Sequence, residues 1–188
     1  VIGAVNTILI KEGKTIGYNT DVIGFKEDIL DFTGAKLVDH SPAGENVNIA
    51  TLQSPHLPPP SALVLGTGGA SLAVHYALKE LGYQTQAVSR TPGMDQMTYA
   101  EITSQVLATQ YLVVNTTPLG MYPKVETCPD LPYSAAHAAQ FFYDLVYNPA
   151  ETLFLRSAAA SGAKTRSGLG MLHKQAEAAW AIWTDSQS

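Results

Sequence analysis

The sequence predicts an α/β fold built on a doubly wound parallel sheet. Three observations carry that prediction. From Ala62 onward, extended and helical patterns alternate along the chain. The extended runs are short and apolar, as strands covered on both faces of a parallel sheet must be. The first of them leads through a glycine-rich turn straight into a helical pattern.

Taken in order, Val5–Ile10 reads as a β run, with a turn near Gly13 and a second extended run at Thr15–Tyr18. Val22, Phe25, Ile29 and Phe32 are spaced by 3, 4 and 3 residues, which predicts a helix over Val22–Phe32. Asp21 stands where a helix N-cap would. Residues 34–60 contain five prolines and read as a loop or linker. Next come strand Ala62–Leu65, helix Ala70–Leu81, strand Gln84–Ser89 and a short helix near Tyr99–Leu107. Strands Tyr111–Asn115 and Phe141–Leu145 follow. Helix Thr152–Ser161, an extended piece at Lys164–Arg166 and a last helix, Met171–Thr184, complete the series.

Composition narrows the function classes. The 188 residues are 46% hydrophobic and 14% charged, with 16 acids and 11 bases for a formal net charge of −5. That apolar content excludes a wholly disordered chain, and the charge gives no general nucleic-acid footprint. No apolar stretch approaches the roughly 20 residues of a membrane span. A charged and apolar leader pattern is absent, and a cytoplasmic location is expected. Cys128 is the one cysteine, so no internal disulfide forms and a reducing compartment is permitted. His40, His56, His75, His137 and His173 show no paired ligand spacing, and no metal site is expected.

The chemistry-bearing signal is Gly66-Thr67-Gly68-Gly69-Ala70-Ser71, placed between a strand and a helix. In that setting Gly66 makes the tight turn and Gly68 admits a pyrophosphate to the backbone. Ser71, at the third glycine position, is small enough for close helix–strand packing. The free N–H groups of the helix start then face the anion. A βα turn that binds nothing is the plainer alternative. At the end of the next strand stand Ser89, Arg90 and Thr91, with no acid to bond a ribose 2′-hydroxyl. Arg90 suits a 2′-phosphate, which favours NADP over NAD, although a lone surface arginine is also commonplace.

Six motifs together resemble the shikimate 5-dehydrogenase family, which includes shikimate and quinate dehydrogenases. They are Gly3-Ala4-Val5-Asn6-Thr7, Gly17-Tyr18-Asn19-Thr20-Asp21, the Gly66–Ser71 loop, Asn115-Thr116-Thr117-Pro118-Leu119-Gly120-Met121, Asp144-Leu145-Val146-Tyr147-Asn148-Pro149, and Gly168-Leu169-Gly170-Met171-Leu172 with Gln175. The resemblance spans everything except the proline-rich segment. It implies a Rossmann-type NADP-binding domain over 61–168 and a remnant of a smaller α/β substrate domain over 1–33. A C-terminal helix, 169–188, would pack back towards that remnant. The implied reaction is the NADPH-dependent, reversible reduction of 3-dehydroshikimate to shikimate.

By the same resemblance, Asp21 is catalytic, as the acidic half of a Lys–Asp pair. Asn6, Asp21, Tyr147 and Gln175 contact a small-molecule substrate. Gly66, Gly68, Gly69, Ala70 and Ser71 hold the cofactor phosphates, and Ser89, Arg90 and Thr91 surround the adenosine phosphate. Thr116, Leu145 and Gly168 border the nicotinamide. Each has a plainer reading: Asp21 as a cap only, Asn6 as an internally bonded amide, Tyr147 as a half-buried aromatic. Gln175 is the more telling, because a polar amide interrupts an apolar helix face between Met171 and Ile182.

The chain also departs from the family. The family's substrate domain carries a Ser-x-Ser motif for the substrate carboxylate and a later Asn-Val-Thr-x-Pro-x-Lys motif with the catalytic lysine. Neither stands ahead of Asn6, and Lys11 and Lys14 flank a turn. Val1 begins where that region would end, so most of the substrate domain is expected to be missing and this chain alone to turn over poorly. Only one arginine follows the second strand where the family commonly has two basic residues. A non-catalytic NADP-binding module and an NAD-using quinate/shikimate dehydrogenase are the alternatives. A homodimer is one assembly open to the chain.

Overall fold

The computed structural model describes residues 3–35, 59–91 and 93–185, and most of the proline-rich 34–60 segment lies outside them. Strands β1 (Thr7–Lys11) and β2 (Lys14–Tyr18) pair as an antiparallel hairpin, followed by helix α1 (Thr20–Thr33). Then come β3 (Ser61–Leu65), α2 (Gly69–Glu80), β4 (Gln84–Ser89), β5 (Gln96–Thr98), α3 (Ser104–Ala108) and β6 (Leu112–Asn115). β7 (Phe141–Asp144), α4 (Leu153–Ala160), β8 (Lys164–Ser167) and α5 (Leu169–Asp185) close the chain. Strands β3 to β8 form one sheet in the order β5-β4-β3-β6-β7-β8, and every pair in it is parallel. The chain builds outward from β3 in one direction and from β6 in the other, as in a doubly wound sheet. The Rossmann-type α/β architecture predicted from sequence is therefore present.

Alternation along the strands sorts the core into two layers. Ala62 and Val64 of β3 pack with Phe25 and Ile29 of α1, Val74 and Leu78 of α2, and Met171 of α5. Leu63 and Leu65 face the opposite side, towards Leu107 of α3 and Phe154 and Ala158 of α4. Each large aliphatic side chain buried this way stabilises the fold by about 1.5–3 kcal/mol.

Helix α1 begins two residues earlier than the apolar spacing indicates. Asn19, not Asp21, is its cap: the Asn19 side-chain oxygen accepts from the Val22 N–H at 3.3 Å. Asp21 lies within the first turn, where its carboxylate meets the positive end of the helix. Further along, a Cβ on Gly24 would stand 2.7 Å from the Met171 carbonyl oxygen and 2.9 Å from the Gln175 nitrogen. The α1 and α5 backbones can touch there only because residue 24 has no side chain.

Asp28, one turn on, is buried and joins four elements. Its Oδ2 accepts from the Tyr143 hydroxyl of β7 at 2.6 Å, and its Oδ1 from Arg166 Nη1 of β8 at 3.0 Å. The same guanidinium donates to the Asp28 carbonyl and lies 4.9 Å from the centre of the Phe32 ring. Lys174 of α5 stands 4.0 Å from Asp28 Oδ1 and pairs with Asp31. Near its far end, α5 reaches the hairpin, where Trp183 Nε1 donates to the Ile8 carbonyl at 3.2 Å.

One stretch differs from the sequence expectation, and one strand is added to it. Tyr99–Leu107 is not one helix but a 3₁₀ turn, Tyr99–Glu101, followed by α3. The break is set by two caps: Glu101 closes a capping box on Thr98, and Thr103 accepts from the Val106 N–H at 3.3 Å. Strand β4 occupies the expected Gln84–Ser89, and β5 is a further strand that the sequence does not signal, paired with the last residues of β4. Gln86 of β4 donates to the Asp95 carbonyl, just before β5, at 3.1 Å.

Removing the buried anion leaves Tyr143 and Arg166 without their shared acceptor. Asp28→Ala is expected to lower unfolding stability by about 3 kcal/mol, read from the urea midpoint. A loss below about 1 kcal/mol would show that the network is not what holds α1 to the sheet.

Candidate functional site

The glycine-rich turn follows β3 at the carboxyl edge of the sheet. Gly66 has φ +108°, and a Cβ there would lie 2.8 Å from Thr116 Oγ1, so both conformation and space require glycine. The turn is tied on both sides: Gly66 N–H donates to the Val88 carbonyl at 2.9 Å, and Thr116 Oγ1 donates to the Leu65 carbonyl at 2.7 Å. Gly68 caps α2 without a side-chain hydrogen bond, and space is open around its missing Cβ. The first turn of α2, which begins with Gly69 and Ala70, therefore presents backbone N–H groups and a partial positive charge to that space. Ser71 is buried and donates to the Gly68 carbonyl at 2.7 Å. It closes the turn rather than lining it.

Two clefts adjoin along this edge. The larger, about 750 Å³, is bordered by Gly66 and Gly68, by Ser89, Arg90 and Thr91 at the end of β4, and by Thr116. Arg90 is the one cation among the described residues that line it. Within this stretch the Thr91 N–H donates to Ser89 Oγ at 3.3 Å. The smaller cleft, about 450 Å³, takes in Ala70, Leu145 and Tyr147, with Met121 and Tyr122. Thr116, Thr117 and Pro118 border both, so the two form a continuous trough over the β3–β6 divide. Gly168 backs the smaller cleft: a Cβ there would collide with the Leu145 carbonyl.

A buried pair holds the walls of the smaller cleft. Asn115 and Asp144 sit opposite each other on β6 and β7, and Asn115 Nδ2 donates to Asp144 Oδ1 at 2.9 Å. Asn115 Oδ1 accepts from the Thr117 N–H at 3.0 Å and from its hydroxyl at 2.6 Å. Asp144 accepts from the Val146 N–H at 3.0 Å and from the Thr152 hydroxyl at 2.6 Å. Burial pushes the Asp144 carboxyl up to about 6, overcoming the opposing pull of those hydrogen bonds.

The residues from the first segment form a separate group. Asn6 Oδ1 accepts from the Thr20 N–H at 2.8 Å, which holds the start of α1. Asp21 is half-buried beside it; burial raises its pKa and the neighbouring Asn6 amide works against that rise. Gln175 is half-buried on α5, with its backbone against Gly24. None of Asn6, Asp21 and Gln175 lines either cleft.

Sequence reasoning missed Tyr99 and the Cys128–Asp130 segment, which also line the larger cleft. Tyr99 follows β5, a three-residue strand with no apolar run to signal it. Cys128–Asp130 reaches the cleft only through the tertiary fold.

No protein-family model matches the chain. Curated relatives do. A shikimate dehydrogenase (NADP(+)) from Methanococcus maripaludis strain C6 is 35% identical over 97% of this chain and 63% of its own length. Over nearly all of its own length the chain is similar to shikimate dehydrogenases. Solved structures agree: shikimate 5-dehydrogenase from Thermus thermophilus, in complex with NADP(H) and shikimate, superposes with a TM-score of 0.73. It is 33% identical, and the match covers 98% of this chain and 63% of its own. Quinate dehydrogenase from Corynebacterium glutamicum, in complex with NAD, gives a TM-score of 0.75 at 28% identity, covering 98% and 64%. The chain thus spans less than two thirds of the length of each of these proteins.

Because Asp144 has a higher pKa folded than unfolded, the folded protein holds the extra proton and stability falls as pH rises from about 4 to about 6. Asp144→Asn, which keeps the acceptor for Asn115 and Val146, is expected to remove up to about 3 kcal/mol of that fall. Urea unfolding of both proteins at pH 4 and pH 7 checks it; parallel pH profiles would contradict the buried acid.

Proposed function

We propose that this chain binds NADP(H) and forms the cofactor-bearing part of a shikimate dehydrogenase. That enzyme interconverts 3-dehydroshikimate and shikimate in the pathway to chorismate and aromatic amino acids. The observation that carries the reading is Arg90 in the larger cleft, at the end of β4, with no acid beside it at Ser89 or Thr91. The relatives named for NADP(+) support it.

The residues fit the cofactor. The uncapped start of α2 and the open face of Gly68 suit a pyrophosphate, and Arg90 offers charge-assisted donors to a 2′-phosphate. Gly66, Gly69, Ala70 and Ser71 shape that cradle, with Ser89 and Thr91 beside the phosphate. Thr116, Leu145 and Gly168 border the nicotinamide end. When bound, NADPH supplies the hydride.

On the substrate side, Asn6, Tyr147 and Gln175 hold hydroxyls, and Asp21 is the acid of the proton-handling pair. Its raised pKa suits a group that must exchange a proton. The motif that carries the family's lysine does not stand ahead of Asn6, and the first described lysines, Lys11 and Lys14, are exposed at the β1–β2 turn. Residues 1–33 then belong to the substrate side, 61–168 to the cofactor domain, and 169–188 to a helix returning to the first. The substrate is a small molecule and the setting cytoplasmic. The likeness to a quinate dehydrogenase bound to NAD favours one second reading, a quinate/shikimate enzyme using NAD.

Titration calorimetry separates the two. NADP⁺ is expected to bind more tightly than NAD⁺, and Arg90→Ala to weaken NADP⁺ by about 10–100-fold while changing NAD⁺ little. Equal losses for both cofactors, or tighter NAD⁺, would contradict the NADP assignment. In a shikimate oxidation assay, the 188-residue chain is expected to fall at least about 10²-fold below a full-length relative, for want of the lysine. Comparable turnover would show that Asp21 needs no such partner.

A further inference from the structure

Among the described residues that line the larger cleft Arg90 is the one cation, and a second donor stands at the same end. Strands β4 and β5 are parallel neighbours joined by residues 90–95 alone, where such pairs ordinarily need a crossover of about a dozen residues or more. The short connection suffices because β5 pairs only with the last residues of β4, in the register Ala87↔Gln96, Val88↔Met97 and Ser89↔Thr98. Ser89 and Thr98 are opposite each other, so the next residues, Arg90 and Tyr99, emerge side by side at the same edge. Both line the cleft.

Tyr99 is also held. The Glu101 carboxylate accepts from the Thr98 N–H at 2.6 Å and from the Thr98 hydroxyl at 2.7 Å, which fixes the turn that Tyr99 opens. Its ring packs on the α3/α4 core layer, leaving the hydroxyl as its polar end. Burial keeps that phenol protonated, the form that donates, and the nearby Arg90 charge works against the shift. Asp130 lines the same cleft; as a carboxylate it accepts from a ribose hydroxyl and repels a phosphate.

We propose that Tyr99 is a specificity-determining residue for NADP, donating its hydroxyl hydrogen to the 2′-phosphate beside Arg90. A neutral donor thus serves where one arginine stands alone. The inference rests on reading the cleft as an NADP site, and the test keeps the two apart. Adenosine 2′,5′-bisphosphate and 5′-AMP, which differ only in the 2′-phosphate, are titrated into the 188-residue chain and its Tyr99→Phe variant. The variant keeps the ring and its packing.

Wild type is expected to prefer the bisphosphate. Tyr99→Phe is expected to weaken the bisphosphate about tenfold and leave 5′-AMP within about twofold. Unchanged bisphosphate binding, or an equal loss for both nucleotides, overturns the role of Tyr99 while leaving the cofactor reading intact. A wild-type chain that does not prefer the bisphosphate overturns both.

Discussion

The constraint on which the rest depends is the divergence of the chain at β3 and β6. These neighbours are hydrogen-bonded along Ala62–Leu65 and Leu112–Asn115, but the segments leaving them build the sheet in opposite directions. Right-handed crossovers then put α2 on one face and α4 on the other. Above the divide no helix can fill the space, and the loops after β3 and β6 must form its rim. The Gly66–Ser71 turn and the Thr116–Leu119 loop are therefore both at the same edge, whatever ligand evolution placed there.

The Asn115–Asp144 pair extends that logic by one strand. It orders the loops after β6 and β7 from below, so Thr116 and Thr117 on one side and Leu145, Val146 and Tyr147 on the other share one buried support. An acid held largely out of water is a costly support; three accepted hydrogen bonds offset much of that cost. Asp28 does the corresponding task for the first segment. By engaging Tyr143, Arg166 and Lys174 it makes α1 part of the layer that covers the sheet. Asp21, in the first turn of α1, and Asn6, which accepts from the Thr20 N–H there, stand on the helix so anchored.

Much of this was legible in the sequence, for physical reasons that differ by element. The strand–helix alternation and the glycine turn are local patterns, and both survive folding nearly unchanged. Strand β5 was not legible, because three half-buried residues leave no periodicity. Asn19 lost to Asp21 as the expected cap because apolar spacing marks the buried face of a helix, not its first turn. The Asp28 network joins residues 115 and 138 positions apart, beyond the reach of any local pattern. The same holds for Tyr99, whose place beside Arg90 follows from sheet register alone.

NADP is proposed to lie in the trough over the β3–β6 divide, with its phosphates at the start of α2 and Arg90. Amide chemical shifts of the ¹⁵N-labelled 188-residue chain during titration with NADP⁺ test it most directly. The largest changes are expected at Gly68, Gly69, Ala70, Arg90 and Thr91, with the β1–β2 hairpin unmoved. Changes confined to other surfaces, or none at millimolar cofactor, would contradict it.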